Sequence, residues 1–209
     1  MSLQNEAYTP LRREYAKLAR VYDRRWDVYV RRSVSETLDR FDVRAGDRVL
    51  DVGCGTGVLL EKLAWIEPPA GLFGVDASPD MLEVARERLG STADLTFACA
   101  EKLPFPDAHF DIVVSTSAFH FIREPQMALS EMHRVLKPSG KLVITDWCAD
   151  FFSSRLLDGF FRLASPAYER AYHSNEIQRM IKETGFRQVR VDKFKISPIW
   201  GMMSALGTK

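Results

Sequence analysis

Arg48-Val49-Leu50-Asp51-Val52-Gly53-Cys54-Gly55-Thr56-Gly57 is the stretch on which the reading of this chain turns. Val49, Leu50 and Val52 form a short apolar run rich in β-branched residues. Glycines at alternate positions follow, just before a helical pattern begins. This is the pattern of a buried strand running into a glycine loop. Glycine accepts positive φ and lets a ligand come close to the chain, and the N–H groups at the start of the next helix point at that ligand. A nucleoside-bearing cofactor is the expected occupant.

Outward from that loop the pattern alternates. Helical periodicity is expected over Val58 to Ala64, Pro79 to Leu89 and Glu124 to Leu136. Strands are expected over Leu72 to Asp76, Leu95 to Cys99, Phe110 to Ser115 and Lys141 to Thr145. Strands apolar on both faces, alternating with helices, predict a parallel sheet covered on both sides. Pro104-Phe105-Pro106-Asp107 and Pro138-Ser139-Gly140 read as turns. Upstream, Leu11, Tyr15, Leu18 and Tyr22, then Val30, Val34 and Leu38, fall at helical spacing and predict two amphipathic helices. Downstream, Phe152, Leu156, Phe160 and Leu163 predict a helix broken by Ser165-Pro166. Ser174, Ile177, Met180 and Ile181 predict another, ending at Gly185. Strands around Arg187 to Ile196 and Trp200 to Leu206 are joined by only Ser197-Pro198-Ile199, too short for a crossover helix, so this last pair is expected to be antiparallel.

The 209 residues are 46% apolar, enough for the core of one compact unit. A formal net charge of +1 excludes a generally basic nucleic-acid binder. Residues 11 to 32 nevertheless hold eight basic side chains against three acidic ones. That excess would steer an anionic acceptor, touch a membrane surface, or simply make a solvated helix face. Three cysteines, Cys54, Cys99 and Cys148, lack metal or disulfide spacing and point to a reducing, cytoplasmic setting. There is no apolar run of membrane-spanning length, and Met1 to Glu6 lacks a signal peptide's basic and apolar regions.

The spacing of the loop narrows the cofactor. A dinucleotide fingerprint wants Gly or Ala where Val58 stands, which leaves a nicotinamide oxidoreductase a distant alternative, and no Gly-Lys-Ser/Thr follows for a P-loop. Asp/Glu-x-Gly-x-Gly-x-Gly does match, and with it the chain resembles the class I S-adenosylmethionine-dependent methyltransferases. Further matches run from about Arg48 to Thr145. Phe97-Ala98-Cys99-Ala100-Glu101-Lys102-Leu103-Pro104-Phe105 is similar to a segment of the ubiquinone/menaquinone-biosynthesis type of that family (methyltransferase type 11). The resemblance implies a doubly wound, Rossmann-like α/β fold: a seven-stranded, mostly parallel sheet with a C-terminal antiparallel hairpin and helices on both faces. It implies a single domain over 1–209, with a helical lid (1–45), a cofactor core (46–146) and acceptor-side helices plus hairpin (147–209).

Cofactor contacts are expected from Gly53, Cys54, Gly55, Gly57, Asp76, Ala77, Met81, Ala100, Glu101, Ser115 and Tyr22. Asp76, ending the second strand, is placed to accept hydrogen bonds from both ribose hydroxyls, with an N-cap role as the alternative. Met81 would cover the adenine and the Ala100 N–H would meet its ring, whereas Cys99 stands where the family carries an Asp. Asp51 either braces the loop or approaches the cofactor's amine. Cys54 needs only to be small. Tyr22-Asp23 matches a Tyr-Asp pair that folds over the methionine end, with core packing the alternative for Tyr22 and for Tyr15 on the same face.

Methyl transfer from a sulfonium is an in-line displacement that needs alignment but no metal or enzyme nucleophile. Where the acceptor must lose a proton, His120 and Asp146 are the candidate bases. His133 reads as a surface residue and His173 as lying near a helix cap. The chain carries neither the Asn/Asp-Pro-Pro-Tyr/Phe motif nor the Pro-Cys of nucleic-acid base methyltransferases, so a base acceptor is disfavoured. Seven aromatics lie between Trp147 and Tyr172, which favours a small apolar or aromatic acceptor. The competing reading takes the Phe152 stripe as core and other rings as a dimer face. The expected partner is thus the acceptor, with the protein acting as a monomer or homodimer. A non-catalytic S-adenosylmethionine-binding protein of the same fold is the alternative function. Arsenite methylation is discounted, because Cys54 and Cys99 belong to cofactor segments.

Overall fold

A computed structural model of the chain describes residues 8–66 and 71–209, so the Met1 to Glu6 reading lies outside the described residues. Among those residues are seven strands and seven α-helices. Helix α1 (Thr9–Arg25) opens with Pro10 in its first turn, where a missing N–H costs nothing, and closes on Arg24 and Arg25, whose charges suit a helix C-terminus. α2 (Asp27–Leu38) continues across a one-residue joint at Trp26. Then follow β1 (Arg48–Val52), α3 (Val58–Ile66), β2 (Gly71–Asp76), α4 (Pro79–Leu89), β3 (Asp94–Phe97) and β4 (Phe110–Thr116). A short 3₁₀ turn (Phe119–Phe121) precedes α5 (Pro125–Val135), β5 (Leu136–Trp147), α6 (Phe152–Ala164), α7 (Ser174–Glu183), β6 (Arg187–Lys195) and β7 (Gly201–Thr208).

The strands form one sheet in the order β3-β2-β1-β4-β5-β7-β6. β3 through β5 run parallel, and β7 inserts antiparallel between β5 and β6, pairing Lys141 with Thr208 at one end and Trp147 with Met202 at the other. Neighbouring residues serve opposite faces. Leu50, Val113 and Ile144 join Leu129 and Met132 of α5 on one side. Val49, Ile112 and Val143 join Leu59, Leu60 and Leu63 of α3 and Val34 of α2 on the other. Strand order reverses beside β1, whose neighbours are β2 and β4. Open α/β sheets bind ligands at such a switch point, beyond the carboxyl ends of the strands, and that is where the glycine loop sits.

Three readings are corrected. Pro138-Ser139-Gly140 is not a turn before a strand but a bulge within β5: Phe110 pairs with Leu136 and Ile112 already with Lys141, leaving Lys137 to Gly140 bowed out, with Ser139 at φ 66. β3 ends at Phe97, short of Cys99. The stripe Phe152, Leu156, Phe160 and Leu163 of α6 is not core: all four side chains are exposed, and the helix turns Leu157 and Phe161 inward instead.

Candidate functional site

Beyond the ends of β1, β2 and β4 lies a cavity whose floor is the glycine loop and whose roof is α1 and α2. Gly53 sits at φ +78, and a Cβ there would stand 2.3 Å from the Ala118 Cβ, so this position has no room for any other residue. Sheet order separates two ends. On the β2–β3 side are Ala77, Met81, Ala98 and Ala100, under Tyr8 and Leu11; on the β4 side are Thr116, Ser117 and Ala118, under Tyr29, Val30, Ser33 and Val34. One end is thus a smooth apolar slot and the other is edged with hydroxyls.

Two carboxylates divide the work at the centre. Asp76 accepts the Gly55 N–H at 2.8 Å on one oxygen and the Ser78 N–H at 2.8 Å on the other, so it braces the loop against the start of α4. Ser78 caps that helix in turn, accepting from the Met81 N–H. Asp51 is only 2% exposed, and its Oδ1 has no hydrogen-bond partner. Burial, with the charge of Asp76 added, pushes its carboxyl up to about 8. A buried, unpaired oxygen on a cavity wall is costly unless a ligand satisfies it, and a protonated amine would both pair with it and restore its charge. Burial likewise raises Asp76, against which its backbone N–H donors act.

The roof is latched to the floor. Asp23 accepts from the Thr56 hydroxyl at 2.7 Å and pairs with Arg88, which also meets Glu61, while Arg20 reaches Glu83 and Glu87 of α4.

A second, smaller cavity adjoins the first on its β5 side, and the two share Tyr15, Tyr22, Tyr29, Ser117 and Phe121. Its further walls are largely aromatic, with Trp26, Trp147, Phe161, Tyr168 and Trp200 around His120. The His120 ring stacks on Trp147 at 4.8 Å and 23°. Its Nδ1 lies 2.6 Å from Asp146 Oδ1. Asp146, the last residue but one of β5, also accepts from the backbone N–H groups of His120 and Trp147, so it is an acceptor throughout and His120 Nδ1 is the donor. That tautomer leaves Nε2 with a free lone pair. The Tyr29 hydroxyl donates to Ser117 Oγ at 2.7 Å and accepts the Trp147 Nε1–H at 2.7 Å, tying the shared wall together.

Of the residues expected at the cofactor, Tyr22, Asp51, Gly53, Cys54, Gly55, Asp76, Ala77, Met81 and Ala100 stand in the wall of the first cavity. Gly57, Glu101 and Ser115 do not. Gly57 packs under Leu89 and Ala85 of α4, Glu101 turns away to accept the Tyr8 hydroxyl at 2.6 Å, and the Ser115 hydroxyl is spent on the Val52 carbonyl at 2.7 Å. Asp146 is also outside both walls and reaches the second cavity only through His120. Cys54 is buried, which raises its thiol well above the usual range, and Cys99 is pushed up to about 11 chiefly by burial. His133 is half-buried, edge-on to Phe186 at 4.9 Å, and not a surface residue. His173 is the N-cap residue of α7 and pairs with Asp150. Tyr29, Ser117 and Ala98 were missed. Tyr29 was within reach, because Tyr15, Tyr22 and Tyr29 repeat every seven residues and so keep one face of the α1–α2 rod.

The methyltransferase domain family matches residues 50–144 of this chain. The ubiquinone/menaquinone biosynthesis C-methyltransferase of Ectopseudomonas mendocina is 42% identical over 117 residues, which are 53% of this chain and 46% of that protein. The chain therefore spans about half the length of the curated relatives it matches. Among solved structures, a chain of the Haloferax volcanii complex between a methyltransferase activator and a methyltransferase superposes with a TM-score of 0.85 at 21% identity, covering 94% of this chain and 96% of that one. The phosphoethanolamine N-methyltransferase 2 of Haemonchus contortus, in complex with S-adenosyl-L-methionine, superposes with a TM-score of 0.69 at 20% identity, covering 84% of this chain and 52% of that one. At these identities the structural likenesses establish the fold.

Proposed function

We propose that this chain, whose residues 50–144 belong to the methyltransferase domain family, transfers a methyl group from S-adenosylmethionine to a small apolar or aromatic molecule. The observation that carries this reading is the shared wall: a cavity shaped for a nucleoside and an amine meets an aromatic cavity holding a histidine–carboxylate pair, across three tyrosines, one serine and one phenylalanine.

S-adenosylmethionine supplies a methyl group on a sulfonium centre that is open to in-line attack. The residues present fit it. The unpaired Asp51 Oδ1 would accept from the amino group of the methionine part. Asp76 has used one lone pair on each oxygen and keeps the others for the ribose hydroxyls. Ala77, Met81, Ala98 and Ala100 make an apolar slot that would take the adenine, where the Ala100 N–H would be the ring's donor and Cys99 contributes no carboxylate. Tyr15, Tyr22 and Tyr29 cover the methionine end and keep water out of the passage between the cavities.

In the aromatic cavity the rings orient the acceptor so that its nucleophilic atom faces the passage, and such alignment can supply effective molarities of about 10⁵ M or more. His120 Nε2 would take the proton from the acceptor's O–H, N–H or acidic C–H, since its lone pair is the one left free when Nδ1 donates to Asp146. Asp146 holds the ring in the tautomer that can do so and stabilises the imidazolium that results. Residues 8–45 act as the lid, 46–146 as the cofactor core and 147–209 as the acceptor side. Three free cysteines support a reducing, cytoplasmic setting.

The test is release of S-adenosylhomocysteine when the purified protein and S-adenosylmethionine are given a panel of hydroxylated and aminated aromatics, with His120→Gln in parallel. Turnover that falls in the variant supports the reading. Tight S-adenosylmethionine binding with no release across the panel overturns it.

A further inference from the structure

Helix α6 turns its apolar stripe outward. Phe152, Leu156, Phe160 and Leu163 fall at i, i+4, i+8 and i+11 on one face, 68%, 61%, 62% and 91% exposed. The helix cannot simply roll to bury them, because its other face is fastened. Ser154 Oγ donates to the Gly201 carbonyl at 3.1 Å and accepts the Gly201 N–H at 3.2 Å. Asp158 accepts from the Tyr168 hydroxyl at 2.8 Å and from the Ala171 N–H at 2.7 Å. Leu157 and Phe161 pack inward beside Trp147 and Tyr168. An apolar patch of this size, held outward by polar anchors, marks an interaction surface.

What surrounds the stripe identifies its occupant. Arg155 and Arg162 are exposed on the same helix, Arg155 lying 5.7 Å over the Phe152 ring. Across the aromatic cavity, which α6 walls through Phe161, the half-buried pair Trp26 and Trp200 lies beside Val28 and Ile199, 62% and 53% exposed. Exposed Arg24, Arg25 and Arg31 stand on that corner. Of the carboxylates in the region, Asp27 and Asp158 are paired with Arg31 and Arg162, and Glu14, on the wall of the aromatic cavity, accepts from the Ser165 hydroxyl at 2.7 Å. Leucine and phenylalanine flanked by arginine, with tryptophan at the rim, is the composition of an interfacial helix. A second copy of this face would set arginine against arginine, which disfavours self-pairing.

We propose that this face docks on an anionic lipid surface, with α6 lying in the plane of the interface and the aromatic cavity beside it. The choice of lipid rests in part on the reading of that cavity as the acceptor's place, since an apolar acceptor dissolved in a membrane would then reach it without crossing water. No described helix is long and apolar enough to span a membrane.

The experiment is vesicle co-sedimentation of the full chain, with phosphatidylcholine alone and with about a third of the lipid replaced by phosphatidylglycerol. The wild type is expected to sediment with the anionic vesicles and not with the neutral ones. A chain carrying both Leu156→Ser and Leu163→Ser, whose side chains are 61% and 91% exposed, should keep its circular dichroism spectrum and lose at least about tenfold in affinity. Arg155→Gln with Arg24→Gln, both exposed, should lose about fivefold per arginine and flatten the salt dependence. Absence of association with anionic vesicles, or equal association of the wild type and the serine variant, overturns the proposal. So does a sedimentation-equilibrium mass of two chains for the wild type and one for the serine variant, which would identify a second copy as the occupant. The readout is lipid binding and not methyl transfer, so either reading can fail without the other.

Discussion

The two adjoining cavities are built on opposite principles. The first is floored by one contiguous loop, and it is lined by backbone, small side chains and two carboxylates at the ends of consecutive strands. The second is assembled from rings that arrive separately from α1 and α2, the turn after β4, the end of β5, α6 with the segment after it, and the residue before β7. A cavity made of backbone holds a ligand whose shape is constant. One made of side chains from scattered segments can be re-lined residue by residue without disturbing the strands that position it. The division predicts that substitutions will separate cleanly into those that move cofactor affinity and those that move turnover.

The largest effect is expected at His120. His120→Gln keeps the ring's neighbours but removes the proton acceptor, so kcat should fall about 100-fold or more while cofactor affinity, read by calorimetry, stays within about twofold. A matching loss of cofactor affinity would break the separation. Next in size is the response of Asp51 to pH. Its carboxyl lies near 8 in the folded chain against an ordinary value of 3.8, a raised value. The stability it allows is therefore complete below about pH 4 and drains away as pH rises toward 8. Between about pH 5 and pH 8 the ligand-free wild type should lose at least about 1.4 kcal/mol of unfolding free energy that Asp51→Asn retains, as measured by chemical denaturation at each pH. Parallel curves for the two proteins would show that Asp51 is not buried as a lone carboxyl. Asp76→Ala comes third. It removes the acceptor for the Gly55 and Ser78 N–H groups together with the proposed ribose contacts, so S-adenosylmethionine should bind at least about tenfold more weakly, each charge-assisted bond being worth roughly 1.5 to 3 kcal/mol. Affinity unchanged by calorimetry would remove Asp76 from the site.

The same contrast explains what was legible in the sequence. The floor of the first cavity was readable because its causes are local: a glycine required by φ, and Ser78-Pro79 and Gly90 bounding α4, whose predicted limits, Pro79 to Leu89, match. The β5 bulge was not, since Pro138-Ser139-Gly140 looks like any turn until Leu136 is seen to pair with Phe110 across it. The facing of α6 was left open by the sequence because both of its stripes are apolar. Ser154 and Asp158 decide between them, and their partners, Gly201, Tyr168 and Ala171, lie on other segments. Asp51 and Asp76 were both recognised, but bracing falls to Asp76, because the backbone N–H groups of Gly55 and Ser78 converge there and leave Asp51 unpaired.

Tyr29 is where the contrast should fail, and the expected failure is small. Its hydroxyl joins Ser117, on the wall of both cavities, to the indole of Trp147, which stacks on His120. Tyr29→Phe keeps the ring and its edge contact with Trp200 at 5.7 Å but leaves an indole N–H and a serine hydroxyl each short of one partner. A neutral hydrogen bond is worth about 1 kcal/mol net, so each readout should move by roughly fivefold. Because the lost hydroxyl belongs to the shared wall, cofactor affinity and acceptor KM should shift together, which neither His120→Gln nor Asp76→Ala is expected to do. A shift in KM alone would assign Tyr29 to the aromatic cavity and place the boundary between the two sites on the cofactor side of its ring.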